Sequence, residues 1–211
     1  MIYQFYQRRV FPLLLDQVMQ TASLMDKRRE LLLPIEGEVL EIGFGTGLNL
    51  PFYGNVDELY ALEPSTEIYH LAAERVLHTP FHVKHNQSSA EKIPFADASL
   101  DHTVSTWTLC SVANVDQALA EIYRVLKPTG TLHVVEHVKN TDSVKIQRWQ
   151  QLLTPIHKRL ADGCHLNRDI ENHLTKAKFK FVEKNYFDAE GVPVLAQKML
   201  LARVQKAEQI H

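Results

Sequence analysis

The residues with the most chemistry to offer surround a glycine-rich run, Glu41-Ile42-Gly43-Phe44-Gly45-Thr46-Gly47. The run follows an apolar stretch, Val39–Ile42, that reads as a strand, and precedes a segment able to open a helix. Glycine lets the backbone turn tightly and lets a ligand approach the main chain. A dinucleotide loop wants G-x-G-x-x-G; here the third glycine comes one place early and position 48 is Leu. Glu41 would repel a pyrophosphate and attract a cation. Glu63 lies twenty residues after Gly43, at the end of a second apolar run, Leu59–Leu62. An acid there is placed to hold two ribose hydroxyls. The implied ligand is a nucleoside with free ribose hydroxyls and a positive group. The plainer alternatives are a joining turn, a solvated strand end at Glu41, and a helix cap at Glu63.

The elements that must position these residues alternate. Strands are expected at Val39–Ile42, Leu59–Leu62, Phe81–Lys84, Leu100–Ser105, Thr131–Val138, Phe179–Tyr186 and Val194–Val204. Helices are expected from about Ser65, at Val115–Leu126, at Val144–Leu160 and at Arg168–Lys178. LKPTG (Leu126–Gly130) reads as a helix stop followed by a tight turn. Alternation of this kind predicts an α/β fold: a doubly wound, mostly parallel, seven-stranded sheet with helices on both faces. Ligands then bind beyond the carboxyl ends of the strands. The chain up to Leu33 has a helical pattern, with Phe11, Leu14, Leu15, Val18, Met19, Ala22 and Met25 on one face and Pro12 marking a break or a start. It divides the chain into a helical lid over residues 1–34 and a main domain over residues 35–211.

Composition narrows the class. The 211 residues are 45% hydrophobic and 23% charged, with a net charge of −2 when the 11 histidines are neutral. Lys and Arg are scattered, which argues against a nucleic-acid partner. Two distant cysteines and no secretory signal pattern point to a reduced, cytoplasmic protein. The apolar runs are too short for a membrane span, although the amphipathic N-terminal segment leaves room for a peripheral membrane contact.

The implied ligand matches S-adenosylmethionine, which carries a sulfonium and an ammonium. The run VLEIGFGTG, then LEP, AEKIPFADASLDHTVS and ALAEIYRVLKPTGTLHVVEHV, resembles the class I S-adenosylmethionine-dependent methyltransferases. The resemblance makes Gly43, Gly45 and Gly47 the loop on the methionine side and Glu63 the ribose ligand. It makes Ser89-Ala90-Glu91 the adenine turn, and sets Thr106 and Trp107 beside the methionine moiety. Many relatives have Asp where Ser89 stands. Further runs resemble one subfamily, the methyltransferase-like thiol S-methyltransferases and their bacterial relatives. These are MDKRRELL (Met25–Leu32), Leu109-Cys110-Ser111-Val112, Glu136-His137-Val138, Trp149-Gln150-Gln151-Leu152 with Pro155 and His157, and Asp162-Gly163-Cys164 with Arg168. Asn follows the Asp-Gly-Cys in that subfamily, whereas His165 follows it here. The animal members carry an N-terminal membrane anchor, where this chain has a short amphipathic segment.

The resemblance implies an enzyme that moves a methyl group to a small hydrophobic acceptor, first of all a thiol. The alternatives are a lipid amine, a quinone-like hydroxyl, or a non-catalytic S-adenosylmethionine-binding role. A nicotinamide oxidoreductase is disfavoured by the early third glycine and by Leu48. A free thiol is mostly protonated at neutral pH, so a base would raise the reactive fraction. His137, at the carboxyl end of the fifth strand, is the candidate base, and a hydrogen-bonded structural histidine is the alternative. His133 lies four residues earlier on the same face. Cys110, Cys164 and Arg168 are candidates for the substrate pocket. Cys110 has the alternative of a small buried hydrophobe, and Arg168 that of pairing with Asp162. Neither cysteine has the paired spacing of a zinc site, so no metal is expected. His78, His82 and His85 flank a strand and would not converge on an ion. Trp107, Trp149 and Tyr123 are expected in the core or the pocket wall. The oligomeric state is open.

Overall fold

The computed structural model describes residues 6–207; the first five and last four residues of the two expected segments lie outside it. A π-helical turn, Tyr6–Val10, leads into α1 (Phe11–Val18) and α2 (Ala22–Leu32). Pro12 sits in the first turn of α1, where a missing N–H costs nothing. The helical pattern does not run unbroken to Leu33: α1 ends at its cap, Met19, and Thr21 is extended before α2.

The strands are β1 (Glu36–Ile42), β2 (Asn55–Leu62), β3 (His82–Asn86), β4 (Leu100–Thr106), β5 (Leu126–His137), β6 (Phe179–Asp188) and β7 (Lys198–Lys206). Between β2 and β3 lie α3 (Thr66–Leu71) and α4 (Ala73–Leu77), and between β4 and β5 lies α5 (Val115–Val125). Then α6 (Val144–Leu160) and α7 (Ile170–Lys176) join β5 to β6. The segment after Ser65 is thus two short helices instead of one, the first capped where the Ser65 hydroxyl accepts from the Ile68 N–H. LKPTG is not a turn ahead of the strand. Strand β5 begins at Leu126, and its pairing with β4 passes from Leu126 to Thr131 across an irregularity that takes up those residues.

One seven-stranded sheet results, in the order β3-β2-β1-β4-β5-β7-β6. Strands β1 to β5 run parallel, and β7 is antiparallel to both β5 and β6. Alternate side chains of β1 enter opposite layers, as the pleat requires. Leu40 and Ile42 pack with Leu119 and Ile122 of α5 and Leu174 of α7. Val39 packs with Leu31 and Leu32 of α2. The strand order reverses between β1 and β4, which opens a crevice beyond their carboxyl ends. Trp149 does not join the core; it is half exposed on α6.

Candidate active site

A cavity of about 620 Å³ lies over that crevice. The glycine loop forms its floor, and each glycine has its own reason. A Cβ on Gly43, whose φ is +67°, would lie 2.1 Å from the Thr108 hydroxyl oxygen. Only glycine lets the loop after β4 come so close. Gly45, at φ +61°, lines the cavity, and a Cβ there would meet only the Gly43 carbonyl, at 3.8 Å. Its outer face is open for a ligand. The Gly43 and Phe44 N–H groups both donate to the Leu62 carbonyl, which ties the loop to β2.

Glu63, just past β2, is buried and lines the same cavity. Its two oxygens accept from the Gly45 and Ser65 N–H groups, each at 3.0 Å. Burial raises its pKa, and those two bonds oppose the rise. His85 serves this corner. It bonds the Glu63 carbonyl through Nε2 at 2.9 Å and stacks on Tyr69 at 3.7 Å between ring centroids. Ser89 and Ala90 line the adjoining wall, and the Ser89 side chain hydrogen-bonds Glu91.

The other end of the crevice holds buried charge. The Glu41 carboxylate accepts from the Tyr53 hydroxyl at 2.6 Å and from Asn49 Nδ2 at 2.9 Å. Burial pushes its pKa up to about 7, against those two bonds and the positive charge of Arg28. Asn49 Nδ2 also donates to the Thr106 hydroxyl, while Asn49 Oδ1 is buried with no partner among the described residues. Arg28 of α2 is 4% exposed, and its Nε and Nη1 have no partner among the described residues. Its guanidinium lies 4.4 Å from the Trp107 ring centroid, and burial lowers its pKa to about 10. Trp107 itself has φ +54°, and its indole N–H reaches the Met199 sulfur at 3.2 Å. Arg28 is a site residue that the sequence reading left inside a family run. Its spacing from Leu24 and Leu31 sets it on the buried stripe of α2, and that was the available signal.

Helix α1 covers the crevice. Leu14, Leu15 and Val18 line the cavity, and Asp16 binds Arg75 at 2.9 and 3.1 Å and also accepts from the Thr46 hydroxyl. Asp16 therefore latches α1 to the glycine loop and to α4.

The remaining wall carries sulfur and imidazole. Buried Glu136, at the end of β5, accepts from the Ser105 hydroxyl and from the N–H groups of Thr108, Leu109 and Cys110. It thereby shapes the turn that presents Cys110. The chain that follows α6 docks on this turn, with the His165 N–H donating to the Cys110 carbonyl at 2.9 Å. Gly163, at φ +83°, is needed there, because a Cβ would lie 2.7 Å from the Ser111 carbonyl oxygen. The sulfurs of Cys110 and Cys164 come within 3.6 Å, and His137 Nδ1 is 3.8 Å from Cys164 Sγ. Both thiols are free, and all three residues line the cavity. The hydrogen bond between the two sulfurs, with further help from His137 and His157, pulls the Cys164 pKa well down. That same bond and burial push Cys110 up. His157 also lines the cavity and bonds the Cys164 carbonyl through Nδ1 at 3.1 Å.

The reading of Arg168 needs correction. Arg168 does not line this cavity and does not pair with Asp162. Its guanidinium donates to the Leu109 and Val112 carbonyls, at 2.6 and 2.9 Å, and braces the Cys110 turn from behind. His133 is buried beside His102, at 3.1 Å between ring nitrogens, and burial lowers its pKa to about 3. The expectation for His78, His82 and His85 was different: no convergence on an ion. His85 is engaged under Glu63 as described, and among the described residues a group that does converge is Cys110, His137 and Cys164.

Residues 40–134 match the family model described as a methyltransferase domain. The chain is 32% identical to thiol S-methyltransferase TMT1B of Homo sapiens in an alignment that covers 74% of this chain and 69% of that protein. The chain belongs to the S-adenosylmethionine-dependent methyltransferases. This methyltransferase is also 35% identical to thiol S-methyltransferase TMT1B of Rattus norvegicus, over 70% of its own length and 62% of the relative's. It is 27% identical to phosphatidylethanolamine N-methyltransferase of Cereibacter sphaeroides, over 74% of its length and 76% of that protein. A solved SAM-dependent methyltransferase from Aquifex aeolicus shares the fold, with a TM-score of 0.62 at 18% identity, over 92% of this chain and 97% of that one. No helix among the described residues is long and apolar enough to cross a membrane.

Proposed function

We propose that this methyltransferase transfers a methyl group from S-adenosylmethionine to a small apolar thiol. The observation that carries the reading is a single cavity with two chemically different ends. One end suits an amino acid: the unpartnered Arg28 nitrogens match a carboxylate, and Asn49 Oδ1 with Glu41 match an ammonium. Glu63 has acceptor capacity left for ribose hydroxyls, and Ser89 and Ala90 suit the adenine edge. Thr106 and Trp107 lie between. When bound, S-adenosylmethionine supplies a methyl group already activated on a sulfonium.

The rest of the work falls to the chain. Phe11, Leu14, Leu15 and Val18 give the cavity an apolar cover, which favours a hydrophobic acceptor and excludes water. Residues 1–34 act as the lid of the domain formed by residues 35–211. At the other end, His137 stands with Cys110 and Cys164, so acceptor deprotonation belongs to this cluster, with His137 the candidate base. The thiol S-methyltransferase relatives support the same acceptor class. The lipid-amine alternative draws on the Cereibacter relative and on the apolar cover. We place the protein in the cytoplasm.

The test is incubation with methyl-labelled S-adenosylmethionine and a panel of thiols, amines and phenols. Label in apolar thiols is the expected result. Label only in amines or phenols would replace the acceptor, and cofactor binding without any label transfer would point to the non-catalytic role.

A further inference from the structure

We propose that Cys110, His137 and Cys164 bind one soft divalent cation, zinc in the first instance, with its fourth position open to the acceptor cavity. The three ligand atoms lie within 4.8 Å of one another, 3.6 Å apart between the sulfurs and 3.8 Å between Cys164 Sγ and His137 Nδ1. A tetrahedral zinc with Zn–S of ~2.3 Å and Zn–N of ~2.0 Å sets its sulfurs ~3.8 Å apart and sulfur and nitrogen ~3.5 Å apart. The two spacings to Cys164 Sγ match that polyhedron within a few tenths of an ångström, and the third pair, Cys110 and His137, lies within 4.8 Å. A disulfide fits them less well, because it needs an S–S separation of ~2.05 Å. Thiolate and imidazole are also the donors that zinc prefers among biological ligands.

The surroundings hold the donors without competing for them. Glu136 has its oxygens occupied by Ser105 and the backbone of Thr108–Cys110, so it fixes Cys110 and leaves the sulfur free. Gly163 and the His165–Cys110 backbone bond hold the Cys164 loop against that turn. His137 is nine-tenths or more buried, its Nε2 has no partner among the described residues, and its Nδ1 already faces Cys164. Ligation would replace weak sulfur contacts: those among the three side chains and that of the Cys110 thiol with the Trp107 carbonyl at 3.5 Å. Two thiolates balance a 2+ charge, which makes the occupied site neutral. These are three protein ligands plus an open position, the arrangement of a site that works on a bound molecule.

The use of the site rests on the thiol reading. A thiol entering the cavity would take the fourth position and release its proton to water, since a coordinating thiol is deprotonated by the ion. His137 then serves as a ligand in place of a base. Sequence spacing hid this cluster, because its members lie 27 and 54 residues apart and meet only through the sheet edge.

The experiment uses the full chain, stripped with chelator and dialysed against zinc, or against cobalt as a spectroscopic probe. The expected result is about one tightly held ion per chain, as a preformed site gives, with thiolate-to-cobalt absorption. Cys110→Ser, Cys164→Ser and His137→Gln should each lower affinity at least ~10-fold, with melting temperature and S-adenosylmethionine binding checked on the same samples. An apolar thiol, but not the matching alcohol, should shift the cobalt spectrum. A wild-type chain that retains no ion, or binding that survives all three substitutions, overturns the proposal. Methyl transfer to thiols is measured separately on loaded and stripped samples. An ion held without thiol methylation sinks the acceptor reading and leaves the site standing; full thiol methylation in stripped protein sinks the site's proposed use and leaves the acceptor reading standing.

Discussion

Glu41 is the single side chain whose charge should govern cofactor affinity near neutral pH. Its pKa is raised to about 7 from 4.5, chiefly by burial. A raised carboxyl pKa means that the folded protein prefers the protonated form. The stability this gives is complete below the unfolded value and is lost as pH rises through about 7, on the order of 3 kcal/mol in all. A cationic ligand reverses the preference, because it favours the carboxylate. S-adenosylmethionine affinity should therefore rise from pH 6 to pH 8 with release of a proton, and Glu41→Gln should flatten the slope. Calorimetry in buffers of different ionisation heat reads both; a wild-type affinity independent of pH would remove Glu41 from the site. Arg28→Met should weaken S-adenosylmethionine by roughly 2 kcal/mol, the scale of a lost charge-assisted bond, yet leave an analogue lacking the carboxylate unaffected. Equal losses for both ligands would show a merely structural arginine. Glu41, Glu63, Gly43 and Gly45 could be set beside the cavity from sequence because a strand end and a loop fix them locally, whereas Gly47 packs against Ala72 and Leu50 outside its lining. Arg28 was not, because an arginine in a charged helical run reads as solvated until the buried stripe of α2 is known.

Helix α1 and the turn after β4 show what an element contributes that a motif does not. Asp16 anchors α1 through a half-buried ion pair with Arg75. Asp16→Ala should cost about 1 kcal/mol of closed-state stability and speed cofactor release several-fold, with little change in the melting temperature. Stopped-flow displacement measures the rate, and an unchanged off-rate would mean that α1 is no lid. The helical pattern of residues 11–25 announced an amphipathic segment. It could not announce the break before Thr21, which lets α1 turn over the crevice. The Cys110 turn is a second case. Its shape depends on Glu136, a strand-end residue 26 positions later, and on Arg168 from behind. From sequence Arg168 offered a substrate contact or a pairing with Asp162, and it is a brace instead. LKPTG looked like a simple stop because turn chemistry carries no record of strand pairing.

At the scale of the whole molecule, alternating strands and helices made the architecture readable, and the reversal of strand order sets the crevice where the glycine loop opens. Fold alone leaves the acceptor unsettled, since one scaffold hosts many reactions. What favours sulfur is the convergence of three distant segments on one wall. His137→Gln should accordingly lower thiol methylation by roughly 10²-fold at pH 7, and the deficit should shrink toward the acceptor's own pKa, near 8.5 for a simple thiol. A deficit constant across pH would mean that His137 only shapes the wall. The central claim is the acceptor itself, and a matched set tests it most directly: a thiol, an amine and an alcohol on one apolar skeleton, competing for methyl-labelled S-adenosylmethionine at neutral pH. The account predicts label on the thiol with a preference of at least ~10²-fold, the scale on which a site built for one polar group rejects another. Equal labelling of the three, or label on the amine first, would contradict it.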